Sequence, residues 1–231
     1  MRLLIINPNS SVSVTARIDA AAQAACQSGE QIATICATGA PELIVTPDDA
    51  QRAEQAVTRA LAAWKQPIDG IILASFGDTG LDAVRAQTGL PVVGIAQSAY
   101  AMASVLGPRM SIVSFAANMA DALHKTAVGY GHGERIAAMH MVDGATWDDP
   151  GEIQVVLAAQ LLALCQTSAR EDRVNSIVLG GGPLAGLAAR LQPKVAVPVI
   201  DGTTAAIATL RVALGVMPPQ EDTLMRHFAR A

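Results

Sequence analysis

Two pseudo-symmetric α/β lobes, each a parallel doubly wound sheet, with a site in the cleft between them, are what this sequence predicts. Three observations carry the prediction. Residues 71–81 read IILASFGDTGL and residues 177–187 read IVLGGGPLAGL, with the same spacing from Ile71 to Ile177 as from Ser75 to Gly181. Each copy is followed by a second apolar segment, Pro91-Val92-Val93-Gly94-Ile95 in one half and Pro198-Val199-Ile200-Asp201-Gly202 in the other. Apolar runs alternate with helical periodicity from end to end, the order that builds parallel sheets through right-handed crossovers. Finally, the chain is 51% hydrophobic but only 3% aromatic. That aliphatic excess suits parallel strands buried on both faces.

The elements follow in order. Residues 3–6 form a strand, and Asn7-Pro8-Asn9-Ser10-Ser11 is a turn opening a helix that runs to about Cys26. Residues 32–37 are a second strand. Thr46 reads as an N-cap with Pro47 in the first turn of the next helix. Residues 68–74 are the third strand, and Thr79-Gly80-Leu81-Asp82 fits a capping box. Residues 92–95 form a strand and 97–106 a helix. Residues 110–115 begin the second half, followed by a strand at 136–142, a long amphipathic helix at 152–168, strands at 177–180 and 195–200, and a helix from about Thr203. The 231 residues divide at Gly107-Pro108 into lobes 1–107 and 108–231, with the last helix free to return to the first lobe.

Composition narrows the partners. The net charge is −4, and Lys and Arg do not cluster, which argues against nucleic acid and anionic membranes. No apolar run reaches about 18 residues. The N-terminus reads as a strand rather than a signal peptide, so a cytoplasmic protein is expected. Cys26, Cys36 and Cys165 lack CxxC or Cys/His spacing, which implies reduced thiols and no zinc site. The alanine- and leucine-rich helices are compatible with a homo-oligomer. The expected partner is a small molecule.

Ligands of open α/β sheets bind beyond the strand C-termini, so the strand exits Asn7, Ser75, Ser114 and Gly181 are candidate binding residues. Asn7 can hydrogen-bond a carbonyl or carboxylate; equally, Asn7, Ser10 or Ser11 can serve only as a helix cap. Ser75 is a nucleophile, a hydrogen-bond donor or a polar filler, and the amides of Phe76, Gly77, Asp78 and Thr79 after it suit an oxyanion or carboxylate. A serine nucleophile needs a base. Of His124, His132, His140 and His227, His140 at the end of a strand is the best placed. Gly180, Gly181 and Gly182 let backbone approach an anionic ligand closely, or form a plain turn. Asp78 reads as an exposed capping or turn residue before a general base, and Asp201 also follows a strand. Glu42 is ambiguous. Cys36, at a strand end, lies on the ligand-facing edge, whereas Cys26 and Cys165 read as buried hydrophobes.

Residues 5–10 (IINPNS), 69–78 (DGIILASFGD), 91–96 (PVVGIA) and 198–202 (PVIDG) together resemble the aspartate/glutamate/hydantoin racemase superfamily, its hydantoin and allantoin racemase branch above all. The ordered set covers nearly the whole chain. The resemblance implies a two-lobed fold and chemistry at an acidic carbon without cofactor or metal, in which one thiolate removes a proton from one face and a second thiol returns one to the other. Both thiols are missing here: the first cysteine of the family aligns with Ser75 and the second with Gly181. Related decarboxylases of the superfamily keep only the second. The expectation is therefore an enzyme that hydrolyses or decarboxylates a small carboxylate, ureide or cyclic amide, with Ser75 in place of the first thiol and His140 as candidate base. The alternatives are a racemase or isomerase using a non-thiol base, such as His140 or Asp78, and a binding protein without chemistry.

Overall fold

The computed structural model describes residues 1–44, 46–115, 117–144 and 146–217. The first half runs β1 (Arg2–Asn7), α1 (Val12–Ala25), β2 (Gln31–Cys36), α2 (Pro47–Ala63), β3 (Gly70–Leu73), α3 (Leu81–Gln87), β4 (Val92–Gly94) and α4 (Ile95–Leu106). The second runs β5 (Met110–Ser114), α5 (Ala120–Gly129), β6 (Ile136–Met141), α6 (Ile153–Val156), α7 (Ala158–Glu171), β7 (Ser176–Gly180), α8 (Leu187–Leu191), β8 (Val199–Asp201) and α9 (Gly202–Val216). Each half forms a four-stranded parallel sheet. The orders are β2-β1-β3-β4 and β6-β5-β7-β8, the same topology twice. Among the described residues no single helix is long and apolar enough to cross a membrane.

Strand alternation sorts the core. Leu3, Ile5 and Ile72 of the first sheet, and Met110, Ile112, Val178 and Ile200 of the second, belong to one shared inner cluster. Leu4, Ile6, Ile71 and Leu73 face outward under α2 and α3. Val113, Ile177, Leu179 and Val199 face outward under α7 and α8. The inner layer holds α4 and α9, packed on each other, with α4 reaching β7 and β8 and α9 reaching α1, β3 and β4. Ile207 and Leu210 of α9 and Tyr100 of α4 are fully buried there; each such aliphatic side chain contributes about 1.5–3 kcal/mol. Arg211 ties α9 to the first half by a bidentate pair with Glu30, Nε to Oε1 and Nη2 to Oε2 both at 2.8 Å.

Local chemistry explains where the elements depart from the sequence reading. The expected helix at 152–168 is broken: Leu157 separates α6 from α7, so the long helix is two segments. The expected strand at 195–200 shrinks to Val199–Asp201 because the Gln192 side chain takes the backbone bonds before it, donating to Val195 and Val197 carbonyls and accepting from the Val199 amide. The capping box at Thr79 does not form. Gly80, at φ +85°, is the N-cap of α3, and Asp82 lies in solvent beside Arg85. The capping box occurs instead at Thr46, with Asp49 as its reciprocal partner and Pro47 in the first turn.

Where the halves cross, the helices α4 and α9 begin side by side. A Cβ on Gly202 would lie 2.7 Å from the Ile95 carbonyl oxygen, so only glycine permits this approach. Each helix start is closed by one buried carboxylate, supplied differently. In α9 the N-cap Asp201 accepts from the Thr204 amide at 3.0 Å. In α4 the N-cap is Gly94, and the carboxylate comes from Asp78, which accepts from the amides of Ala96 (3.0 Å) and Gln97 (2.8 Å) and from the Tyr130 hydroxyl of the second half (2.7 Å). A Cβ on Gly94 would fall inside the Asp78 carboxylate. Burial pushes both carboxyls above their ordinary values, against the bonds that favour the charged form.

Asp78→Ala leaves two helix amides and a tyrosine hydroxyl unsatisfied and should cost about 3 kcal/mol in urea unfolding. Gly94→Asp alone should be at least as harmful. The pair Asp78→Gly with Gly94→Asp moves the carboxylate to the place it has in the second half and should recover at least half of the loss. A second expectation concerns pH. The Arg211 bond, the largest influence, lowers the Glu30 carboxyl from 4.5 to about 2. A carboxyl lowered in the folded state stabilises above its unfolded value and loses that contribution as pH falls through the folded one. Thermal melts should therefore show a component lost between about pH 4.5 and 2 that Glu30→Gln abolishes.

Candidate functional site

The strand exits of the two halves meet. The Ala74 amide donates to the Ile6 carbonyl at 2.9 Å, which sets the end of β3 beside the end of β1. A Cβ on Gly182 would lie 3.0 Å from the Ala74 carbonyl oxygen, so the turn after β7 abuts the turn after β3. Ser114 donates to the Gly180 carbonyl at 2.6 Å and ties the ends of β5 and β7. The four predicted exits thus lie around one point. Their side chains differ sharply in what they leave free.

Asn7 is fully buried. Its Nδ2 donates to Asn9 Oδ1 (2.7 Å) and Thr15 Oγ1 (3.0 Å), and its Oδ1 accepts from the Asn9 amide (3.4 Å). It fixes the turn into α1, whose N-cap is Ser11. Ser114 is likewise fully buried, its proton committed to Gly180. The glycines 180–182 are buried too, and the closeness they allow is to protein atoms: Leu123 and Ile112 at Gly180, the Phe115 ring at Gly181, Ala74 at Gly182.

The loop after β3 is the open part. Ser75 and Thr79 are half-buried and Gly77 is exposed. The Ser75 carbonyl accepts from the Asp78 amide and its Oγ accepts from the Thr79 amide at 3.1 Å, a self-contained turn. With a lone pair so engaged, the Ser75 hydroxyl proton is left to donate. Among the described residues the amides of Phe76 and Gly77 make no hydrogen bond. One hydroxyl and the exposed Gly77 amide are therefore available to an oxygen carrying negative charge. Phe76 itself is buried, edge-to-face on Tyr100 at 5.7 Å. An open cleft of about 450 Å³ lies on the α2–α3 side of this loop, lined by Gln51, Glu54, Gly77, Thr79, Asp82 and Tyr130 among others; Ser75 does not line it, and Glu54 and Asp82 make it acidic.

Two expectations are corrected. Asp78 is not an exposed turn residue: it is 5% exposed and spends both oxygens on α4 and Tyr130. His140 does not pair with Ser75. It shares its register with the outward-facing Val113, and its Nε2 lies 2.6 Å from Asp172 Oδ2 at the end of α7. Burial works to raise the Asp172 carboxyl, but the bonds from His140 and Ser168 prevail and hold it below its ordinary value. His124 is exposed, His132 sits in the turn after α5 beside Tyr100, and His227 lies outside the described residues. Glu42 is exposed, and Cys36 is half-buried at the end of β2.

Sequence reasoning missed four contacts at this junction. Tyr130 reaches Asp78 from the second half. Asp149 takes the Ser13 hydroxyl at the start of α1, while Arg17 Nε donates to the Gly151 carbonyl at 2.8 Å. Trp147, on the same segment, stands edge-to-face on Phe115 at 5.5 Å. Each contact joins residues remote in the chain, and no local pattern marks it.

Comparison with known proteins bears on the family and the fold. The sequence model of the Asp/Glu/hydantoin racemase family matches residues 3–210. A hydantoin racemase of Paenarthrobacter aurescens is 34% identical over 230 residues, 98% of this chain and 97% of that one. The solved allantoin racemase from Klebsiella pneumoniae superposes with a TM-score of 0.83 at 32% identity, covering 96% of this chain and 95% of that one. Arylmalonate decarboxylase, at 16% identity and a TM-score of 0.66 over 96% of both chains, shares the fold.

Because its ring is committed to Asp172, His140 is expected to be structural. His140→Gln should lower stability by about 1 kcal/mol and leave the turnover of any substrate of the site within twofold of the parent, read by thermal melts and initial rates.

Proposed function

The chain belongs to the Asp/Glu/hydantoin racemase family, and on that premise we propose that it is a cofactor-independent enzyme that decarboxylates a small carboxylate whose α-carbon also bears a carbonyl or second carboxyl group, leaving an enolate-like anion. Ser75 is the donor to the developing oxyanion. The observation that carries this reading is the state of Ser75. Its oxygen is held by the Thr79 amide, its proton is free to donate, and the Gly77 amide beside it is unpaired. Among the described residues its side chain meets that amide and no base. A serine nucleophile without a base is a poor hydrolytic group, which counts against hydrolysis.

Decarboxylation asks for no base. The bond between the α-carbon and the carboxylate breaks, and its electron pair passes to the α-carbon and the adjoining carbonyl oxygen. Carbon dioxide leaves, and water returns a proton to the α-carbon. The protein's part is to stabilise the oxyanion, and one well-placed donor is worth about 10²–10³ in rate. The names of the relatives, hydantoin and allantoin racemase, favour a second reading, racemisation of a hydantoin-type carbon. That reading requires a proton acceptor other than a thiol, since Ser75 and Gly181 stand at the aligned positions.

Proton NMR in deuterium oxide with hydantoins, allantoin, aspartate, glutamate and aryl-malonates separates the two. The expected result is a decarboxylated product deuterated at the α-carbon, formed at least 100-fold more slowly by Ser75→Ala. Cα exchange without loss of carbon dioxide, persisting in Ser75→Ala, would replace this reading with the racemase. A hydrolysed product that retains every carbon would overturn it in favour of hydrolysis.

A further inference from the structure

We infer that Tyr130 is a positioning residue: its hydroxyl, reaching across the lobe junction to Asp78, holds the turn that leaves the Ser75 proton free to donate. The inference rests on the role given to Ser75 above and adds the group that keeps Ser75 in that state.

A short chain of bonds links the two residues. The Tyr130 hydroxyl donates to Asp78 Oδ2 at 2.7 Å. The Asp78 amide donates to the Ser75 carbonyl at 3.0 Å, and the Asp78 carbonyl accepts from the Leu81 amide at 3.0 Å. The next amide along, that of Thr79, donates to Ser75 Oγ at 3.1 Å. This last bond engages the hydroxyl oxygen as an acceptor and leaves its proton for another partner. The turn also asks for a backbone that few non-glycine residues adopt, since Asp78 sits at φ +48°. Such a conformation persists where the surroundings hold it. Here the Asp78 carboxylate is what the surroundings hold.

Capping a helix does not by itself call for the tyrosine. Asp201 serves α9 in the same way, and the groups that bond it, Thr203, Thr204 and Gly186, all belong to its own half. Asp78 has its two α4 amides and, in addition, a hydroxyl from the other lobe. The addition falls on the half whose turn stays open. Among the described residues no other side chain of the second half hydrogen-bonds the loop 75–79. Tyr130 is itself well anchored. It closes α5, with its amide on the Thr126 carbonyl at 3.2 Å. Its ring packs against both the shared inner cluster and the outward cluster of the first half. Burial, and then the Asp78 charge, push the phenol up, so the hydroxyl keeps the proton it donates.

The test is Tyr130→Phe, which removes one hydroxyl and leaves the ring in both clusters. One arm needs no substrate. In amide hydrogen exchange read by NMR, Thr79 should lose about tenfold or more of its protection while Ile5 and Val178 in the two sheets keep theirs. Unchanged protection at Thr79 would overturn the inference. So would an equal loss at all three amides, which is what a general loss of stability produces. The second arm follows decarboxylation of an aryl-malonate. Tyr130→Phe should lower kcat by about tenfold or more and leave KM within about twofold, because a misplaced donor is lost to the transition state rather than to binding. In a Ser75→Ala background the same substitution should change kcat by less than about twofold, since the group it positions is gone. Equal losses of kcat in the two backgrounds would overturn the inference, as would a raised KM with kcat unchanged. Failure to turn over any compound of the panel would overturn the proposed reaction alone, and hydrogen exchange would still decide the role of Tyr130.

Discussion

The crossing of α4 and α9 is the constraint on which the rest of the structure depends. Two helix starts lie against each other where Gly202 meets the Ile95 carbonyl, in a layer that both sheets share. Unpaired amides at a buried helix start are costly, and each needs an acceptor. The second half meets the need with its own N-cap, Asp201; the first leaves Gly94 bare and brings Asp78 over from the loop after β3. That loop carries the candidate site. Its shape, including the positive φ of Asp78 at +48°, is therefore set by the demand of a neighbouring helix. The Tyr130 hydroxyl closes the same carboxylate from the other half, so the open loop and the lobe junction share one hydrogen-bond network.

The duplicated frame does not produce a duplicated site. The strands and their order repeat, and the exits meet at Ala74 and Gly182. After the first exit the chain turns through Ser75 to Thr79 with a hydroxyl and an amide unspent. After the second it turns through buried glycines that protein atoms fill. The asymmetry is one of packing: Phe115 follows β5 into the outer core and takes the volume beside Gly181.

His140, Asp78 and Asn7 show why chemical type is a weak guide to role. All three are polar residues at or near strand ends, where a sheet of this kind binds ligands. The structure commits all three to the fold: His140 to Asp172, Asp78 to α4, Asn7 to the turn before α1. Nothing local distinguishes them from Ser75, whose Oγ accepts the Thr79 amide and, among the described residues, keeps a proton to give.

The sequence by itself determined the architecture and the place of the site. The repeat, the alternation of aliphatic runs with helical periodicity, and small residues at the strand exits specify two parallel sheets whose ends face each other, because burial on both faces and right-handed crossovers allow few other arrangements. Through the resemblance it also put Ser75 and Gly181 where the family's two thiols are expected. Only the tertiary structure decided which polar groups remain unspent. Hydrogen-bond partners such as Asp78 with Tyr130 and His140 with Asp172 come from separate elements, and so does the ring that fills the space beside Gly181. Whether a group is available to a ligand depends on what is packed against it, and that is settled by contacts between residues far apart in the chain.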